Sequence, residues 1–297
     1  LADRLNYLRN IEKRKSEVSS SISEQGKMTD EIAEAIANAE TLTEVEDIYR
    51  PFKQKRKTRA TVAIAKGLEP LAEILLAQNV KVGCAEDLAR PFVNEEVGVK
   101  SEREALAGAE DIIAEKVSDD AELRKKLRRI YLKNADISTK ITKIDDDGAK
   151  TYEMYADYTE SVSEIKPHRV LAINRGESEG FLKVKVAVDE AFAVRVCETF
   201  FLKEGSVTTE NVRNAVADAY KRLIQPSIER EIRGYLTENA QEQAIKMFDV
   251  NLRPLLMQPP VKDKVTMGFD PAYRTGCKIA VVDGTGKVLD TTVVYPT

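Results

Sequence analysis

The spacing of apolar residues along this 297-residue chain turns from mainly helical to wholly strand-like at Pro254, Pro259 and Pro260. Before that point, apolar side chains recur three, four and seven positions apart, the period of an amphipathic helix. After it, KVTMGFD, CKIAVVD and KVLDTTVV alternate between faces as strands do, separated by short loops that contain glycine. A helical body followed by a separate β element starting near Val261 is the architecture this pattern predicts.

Within the body, Leu1, Leu5, Leu8, Ile11, Val18 and Ile22 share one helical face, and Gly26 supplies a stop. Thr29 can cap a second helix carrying Ile32 and Ile36. Thr41 and Glu44 form a capping box for a third, with Leu42, Val45 and Ile48, ending before Pro51. Three helices on short links predict an antiparallel bundle. Leu68 to Gln78 reads as a further helix, and Ser101 with Glu104 opens another that reaches about Lys116. Ser118 is the expected cap of the next, on which Leu123, Leu127, Ile130 and Asn134 share a face. A small strand or hairpin is expected around Ile137 to Ile144, with Asp147–Gly148 as its turn chemistry. Pro167 suits the first residue of a short helix ending at Gly176, and FLKVKVAV from Phe181 to Val188 reads as a strand. Thr209 to Ile224 and Ser227 to about Leu256 return to helix.

Composition excludes more than it selects. The net charge of −4 carries no global signal for nucleic acid or membrane, so any such signal is local. No run approaches the roughly 18 apolar residues of a membrane span, and the charged, amphipathic start LADRLNYLRN is no secretory signal. Cys84, Cys197 and Cys277 are too far apart for a CxxC motif and odd in number, and all three are expected to be small buried hydrophobes of a cytoplasmic protein. The chain opens without Met and closes within a strand series, so both ends are expected to be boundaries within a longer protein.

The strongest local charge signal is the run from Arg50 to Arg59. It contains six basic residues, Arg50, Lys53, Lys55, Arg56, Lys57 and Arg59, with no acid until Glu69. Such a loop can dock a phosphate backbone through counterion release. It can also pair with the chain's own acidic stretch, Glu86 to Glu122, which holds twelve acids against four bases. A second cluster, Arg124, Lys125, Lys126, Arg128, Arg129 and Lys133, is expected to be the solvated face of a helix.

Enzyme templates fail. Placing Gly148 at the sixth position of a calcium loop puts Lys143 at position one and Met154 at position twelve, where carboxylates are required. Around Gly286–Lys287, a phosphate loop would need Gly at Val281 and Ser or Thr at Val288. His168 is the only histidine, is expected to be structural, and leaves no material for His-based metal or triad chemistry. Asp270, closing the strand VTMGFD ahead of a hairpin, sits where a ribonuclease-H-like fold presents its first metal-binding carboxylate. Two-metal chemistry needs several such groups, and Asp283 is better spent on its turn. Asp270 is therefore a vestigial candidate, and no metal or cofactor is expected.

At this point the chain resembles the Tex family of transcription accessory proteins. The resemblance is carried by YRPFKQKRKTRATVAIAKGLEPLAEIL, PFVNEEVGVKSEREALAGAEDIIAE, PHRVLAINRGESEGF, PSIEREIRGYLTENAQEQAI and the stretch from LLMQPPVKDK to the end, the opening of a ribonuclease-H-like YqgF domain. It implies a mainly α protein, a multi-helix bundle with a helix-turn-helix-like N-terminal region, a small β element and the first strands of a truncated ribonuclease-H-like α/β domain. Expected divisions are 1–118 and 119–260, both helical, and 261–297. The resemblance also implies an OB-fold RNA-binding domain further on and a YqgF domain without nuclease activity; Ala272 departs from the Gly that often follows Pro271. The expected function is a non-enzymatic nucleic-acid-binding scaffold associated with transcription, its partners RNA or DNA and RNA polymerase or transcription factors. The alternatives are a metal-dependent nuclease or resolvase, or a protein-interaction module.

Overall fold

The computed structural model describes residues 2–53, 57–142, 147–259 and 262–295. Its first three helices, α1 (Ala2–Glu24), α2 (Asp30–Asn38) and α3 (Leu42–Tyr49), share a small core of Val18, Ile22, Ile36, Ala39 and Val45. Gly26 adopts φ 66°, the left-handed conformation that ends α1 at little cost. Thr29 and Thr41 cap α2 and α3 through the N–H groups of Ile32 and Glu44, at 3.3 and 3.2 Å. The return arm of the Thr41 box reaches one residue further back than expected: Glu44 accepts from the N–H of Glu40 at 2.9 Å. The apolar stripe of α1 is only half used, since Ile11, Val18 and Ile22 are buried while Leu5 and Leu8 stay exposed.

The main core is built around α7 (Glu102–Asp119), against which α4 (Arg59–Ala65), α5 (Glu69–Ala77) and α6 (Ala85–Ala89) pack. Gly108 of α7 leaves room for Leu68, the residue ahead of α5, because a Cβ there would lie 2.4 Å from Leu68 Cδ1. Ser118 does not cap the next helix. It lies inside α7, its hydroxyl donating to the Glu115 carbonyl at 2.9 Å, and Asp120 caps α8 (Ala121–Asn134) through the Leu123 N–H at 2.7 Å. A carboxylate that reaches the third N–H of a helix satisfies an orphan donor and complements the macrodipole, which decides between two adjacent candidates. Leu123 and Leu127 are buried on α8, but Asn134 is exposed.

The strand expected near Ile137 is β1 (Asp136–Ile141). It is the centre of an antiparallel sheet ordered β2-β1-β3, with β2 (Asp157–Ser161) and β3 (Leu182–Ala187) at its edges. Ile137, Thr139, Leu182, Val184 and Val186 point into the core while Lys140, Lys183 and Lys185 point out, the period-two pattern seen in the sequence. A 3₁₀ segment (Asp147–Tyr155) leads into β2; Lys143 to Asp146 of the acidic turn run lie outside the described residues. Helix α9 (Pro167–Ser178) starts at Pro167 but does not stop at Gly176, which is buried within it beneath Leu182 and Tyr152.

After α10 (Glu190–Phe201) and α11 (Thr209–Asp218), the break expected near Ser227 is absent. A π turn (Ala219–Ile224) joins α11 directly to α12 (Gln225–Leu256), immediately before Pro226, the residue that cannot donate to an α-helical ladder. The turn sends Tyr220 into the core, its hydroxyl 2.9 Å from that of Tyr131. Pro254 also lies inside α12.

Compact units divide at 240/241. The expected 118/119 boundary falls inside α7, and one continuous core runs from Ala60 to Ala240 across it. In the second unit, β4 (Thr266–Asp270), β5 (Cys277–Val282) and β6 (Val288–Val294) form an antiparallel meander ordered β4-β5-β6. Asp283 accepts from the Thr285 hydroxyl at 2.7 Å and from the N–H groups of Thr285 and Lys287 at 2.8 and 3.0 Å, and these bonds, the hydroxyl's first, hold its carboxyl below the usual range. Cys197 and Cys277 are buried as expected, but Cys84 is exposed, its thiol 3.0 Å from Asp87 Oδ2. Among the described residues no helix is long and apolar enough to cross a membrane.

Candidate nucleic-acid interface

The basic run leaves α3 through a 3₁₀ turn (Arg50–Phe52) and enters α4 at Thr58, whose side chain forms a reciprocal capping box with Thr61. Its two ends lie along α7. Arg50 Nε is 3.3 Å from Asp119 Oδ1 and Arg59 Nη1 is 3.9 Å from Asp111 Oδ1. Asp111 and Asp119 are eight residues apart, on one side of that helix. At its ends, then, the run is partly neutralised by the acidic stretch, the intramolecular alternative raised by the sequence. Lys53 lies 3.9 Å from Glu46 and is mostly exposed. Lys57 is exposed. Lys55 and Arg56 lie outside the described residues.

Beside the run, α4, residues 98–100 and α7 enclose a groove of about 680 Å³. Lys57, Arg59, Lys66 and Lys100 reach it, with Glu104 and Asp111 as the acids and Ala63, Val99, Ala107 and Gly108 among the apolar walls. Lys66 Nζ donates to the Gly98 carbonyl at 2.8 Å. Lys66 and Lys100 belong to no basic run and were not marked by the sequence; only the fold brings them together.

The second basic cluster is divided in two. Lys126, Arg129 and Lys133 are exposed on α8 as expected, but Arg124 is fully buried and Arg128 partly so. Arg124 Nε donates to Asp47 Oδ1 at 3.2 Å and its Nη2 to Ser227 Oγ at 3.0 Å and to Glu231, while Arg128 donates to Asp47 Oδ2 at 2.8 Å and Glu231 Oε2 at 3.1 Å. This network ties α3, α8 and α12 together. Burial pushes the Glu231 carboxyl up, but Arg124 and Arg128 outweigh it and leave the group below its ordinary value. Burial, with repulsion from Arg124, lowers Arg50, so the two basic clusters meet at these guanidiniums.

Asp270 is exposed at the end of β4, in register with Lys278 of β5. The described residues contain no group of three or more His, Cys, Asp or Glu side chains placed to hold a metal ion. His168 is exposed, second in α9.

A helical body with a basic groove, leading into the first antiparallel strands of a ribonuclease-H-like sheet, defines the class. Comparison then supplies the family. A family described as Tex central region-like matches residues 83–248, more than half of the chain, and a Tex protein YqgF-like domain matches 264–297. The chain belongs to the Tex family. It is 46% identical over its whole length to the YdcI protein of Bacillus subtilis, covering 41% of that protein. It is 36% identical over 99% of its length to the transcriptional accessory protein Tex of Neisseria gonorrhoeae, covering 39%. With the human S1 RNA-binding domain-containing protein 1 it shares 30% identity over 98% of its length, covering 30%. The chain thus spans about two fifths of the bacterial relatives it matches.

Proposed function

We propose that this chain is a non-enzymatic part of a cytoplasmic, transcription-associated protein and contributes a backbone-binding surface for RNA or DNA. One observation carries the reading: Lys57 is exposed at a groove that gathers further cations, with Lys53 exposed earlier in the same run, in a family with a member named as a transcriptional accessory protein and another as an RNA-binding-domain protein. Charges of this kind act by releasing counterions from phosphates, with little regard to sequence. RNA polymerase or a transcription factor is the proposed protein partner of the whole molecule. Asp270 stands opposite a lysine on an exposed strand, which favours a structural role for it over a catalytic one.

The test is binding of labelled single-stranded RNA and DNA at several salt concentrations. Reversing Lys55, Arg56 and Lys57 to Glu is expected to weaken binding and to flatten the plot of log affinity against log salt by about 0.7 per lost contact. No binding by the unchanged chain at low salt removes the proposal. Cleavage of branched or single-stranded substrates with magnesium or manganese, abolished by Asp270→Asn, sinks its non-enzymatic half.

A further inference from the structure

We infer that the groove between α4, residues 98–100 and α7 holds the phosphodiester backbone of a single-stranded nucleic acid, with Lys66 and Lys100 as contacts beyond the basic run. The inference rests on the nucleic-acid reading above and moves its centre from the loop to the groove.

Four cations converge there from three places in the sequence: Lys57 and Arg59 at the start of α4, Lys66 at its end, and Lys100 ahead of α7. Two acids oppose the four cations, which leaves the groove net basic. Glu104 accepts from the Lys100 N–H at 2.8 Å, and Asp111 lies between Arg59 and Arg222, at 3.9 and 3.2 Å. Lys57 and Lys100 have no ion-pair partner among the described residues. Lys66 is held by a neutral acceptor, the Gly98 carbonyl, so its direction is fixed while its charge is not cancelled. That carbonyl is itself fixed: Gly98 adopts φ 77°, and Asn94 and Val99 exchange two backbone hydrogen bonds of 2.9 Å. A cation aimed in advance loses less freedom on binding than a free lysine.

The shape selects the ligand. Arg59 and Lys66 are seven residues apart, two turns along one side of α4, a rise of roughly 10 Å. A groove of about 680 Å³ has the size of a small-ligand site rather than a duplex cradle. Among the described residues its walls carry no aromatic platform or amide for reading a base, which leaves the backbone as the recognised element. An acidic peptide would find charge here but no open strand edge along which to pair its main chain.

The test uses the full chain with short labelled oligo-U and oligo-dT strands, titrated across a range of salt. Lys66→Gln with Lys100→Gln is expected to weaken binding about 25-fold at about 0.1 M salt and to flatten the salt slope by about 1.4, or 0.7 per contact. Lys100→Gln alone leaves the Lys66–Gly98 bond in place and is expected to weaken binding about fivefold, so it decides the matter if the double variant unfolds by circular dichroism. Unchanged affinity and slope in these folded variants, alongside loss in a Lys55→Glu, Arg56→Glu variant, overturns the groove and leaves the loop reading standing. Absence of binding by the unaltered chain at low salt overturns both. Binding of polyglutamate that these variants abolish, with strand binding unaffected, assigns the groove to an acidic peptide and overturns the inference.

Discussion

Arg124 is fully buried, and its Nη1 has no hydrogen-bond partner among the described residues. A buried guanidinium survives only where carboxylates face it, and Asp47 and Glu231 do so here. Asp47 and Glu231 each serve both arginines, but Asp47 is buried whereas Glu231 reaches solvent, which makes the network asymmetric. Asp47→Ala strands Arg124 and Arg128 on a single acid and is expected to cost about 3–5 kcal/mol. Arg124→Met leaves both acids paired to Arg128 and fills most of the volume, so it is expected to cost clearly less. Urea unfolding at constant m resolves the two, and equal losses would refute the asymmetry. Nothing in the local sequence marks Arg124 as different from Arg129, because the acids that neutralise it lie 77 and 107 residues away. Glu110 offers a pH-dependent test. Burial raises its carboxyl above the ordinary value, although Asn211 Nδ2 donates to it at 2.8 Å. A raised folded value means that the group's contribution is fully present below the unfolded value and is lost as pH rises through the folded one. Glu110→Gln keeps an acceptor for Asn211 and removes the charge. Its melting temperature is expected to exceed that of the unaltered protein at neutral pH and to converge with it in acid; a constant difference at all pH values would show that charge is not the cause.

Helices show where local chemistry suffices and where it does not. The caps at Thr29, Thr41 and Ser101 were legible because each needs only a side-chain oxygen three residues ahead of a free N–H. Ser118 and Gly176 misled for one shared reason: both residue types end helices often, and only tertiary packing shows that these two lie within one. Gly176 is small because Leu182 and Tyr152 occupy the space, a Cβ there lying 2.6 Å from Leu182 Cδ1 and 2.9 Å from Tyr152 Cδ1. Gly234, in α12, has nothing within 4 Å of that position. The same substitution is therefore expected to act with opposite signs. Gly176→Ala should destabilise by about 1–3 kcal/mol through overpacking, and Gly234→Ala should stabilise by about 0.5–1 kcal/mol by restricting the unfolded chain and favouring helix. Denaturant midpoints of the two single variants measure this, and a shared sign would contradict the packing around Gly176. The groove was half legible: a run of six basic residues is visible in any sequence, whereas Lys66 and Lys100 are 34 residues apart and meet only through the packing of α4 on α7.

At the scale of the whole chain, the switch from helical to strand spacing lies at Pro254 to Val261, whereas the first compact unit ends at Ala240, about four helical turns before Pro254, because periodicity reports an element's type and not what covers it. Helix α12 continues to Leu256, yet Ala240 is its last buried residue; Ile245, Phe248, Leu255 and Leu256 beyond it are exposed. The continuous core is therefore complete by Ala240. Within the second unit, β4 and β6 are exposed along their whole length, and in β5 only Cys277 is buried. A three-stranded meander needs an apolar face packed on something to persist in water. Residues 1–240 alone are accordingly expected to unfold in one cooperative transition with a midpoint close to that of the full chain, whereas 241–297 alone should lack dispersed amide resonances. The denaturant m-value supplies the check, since it scales with the surface exposed on unfolding. It should fall little when 241–297 is removed, because that segment buries little; a loss of cooperativity in 1–240 would mean that the core ending at Ala240 is not self-sufficient.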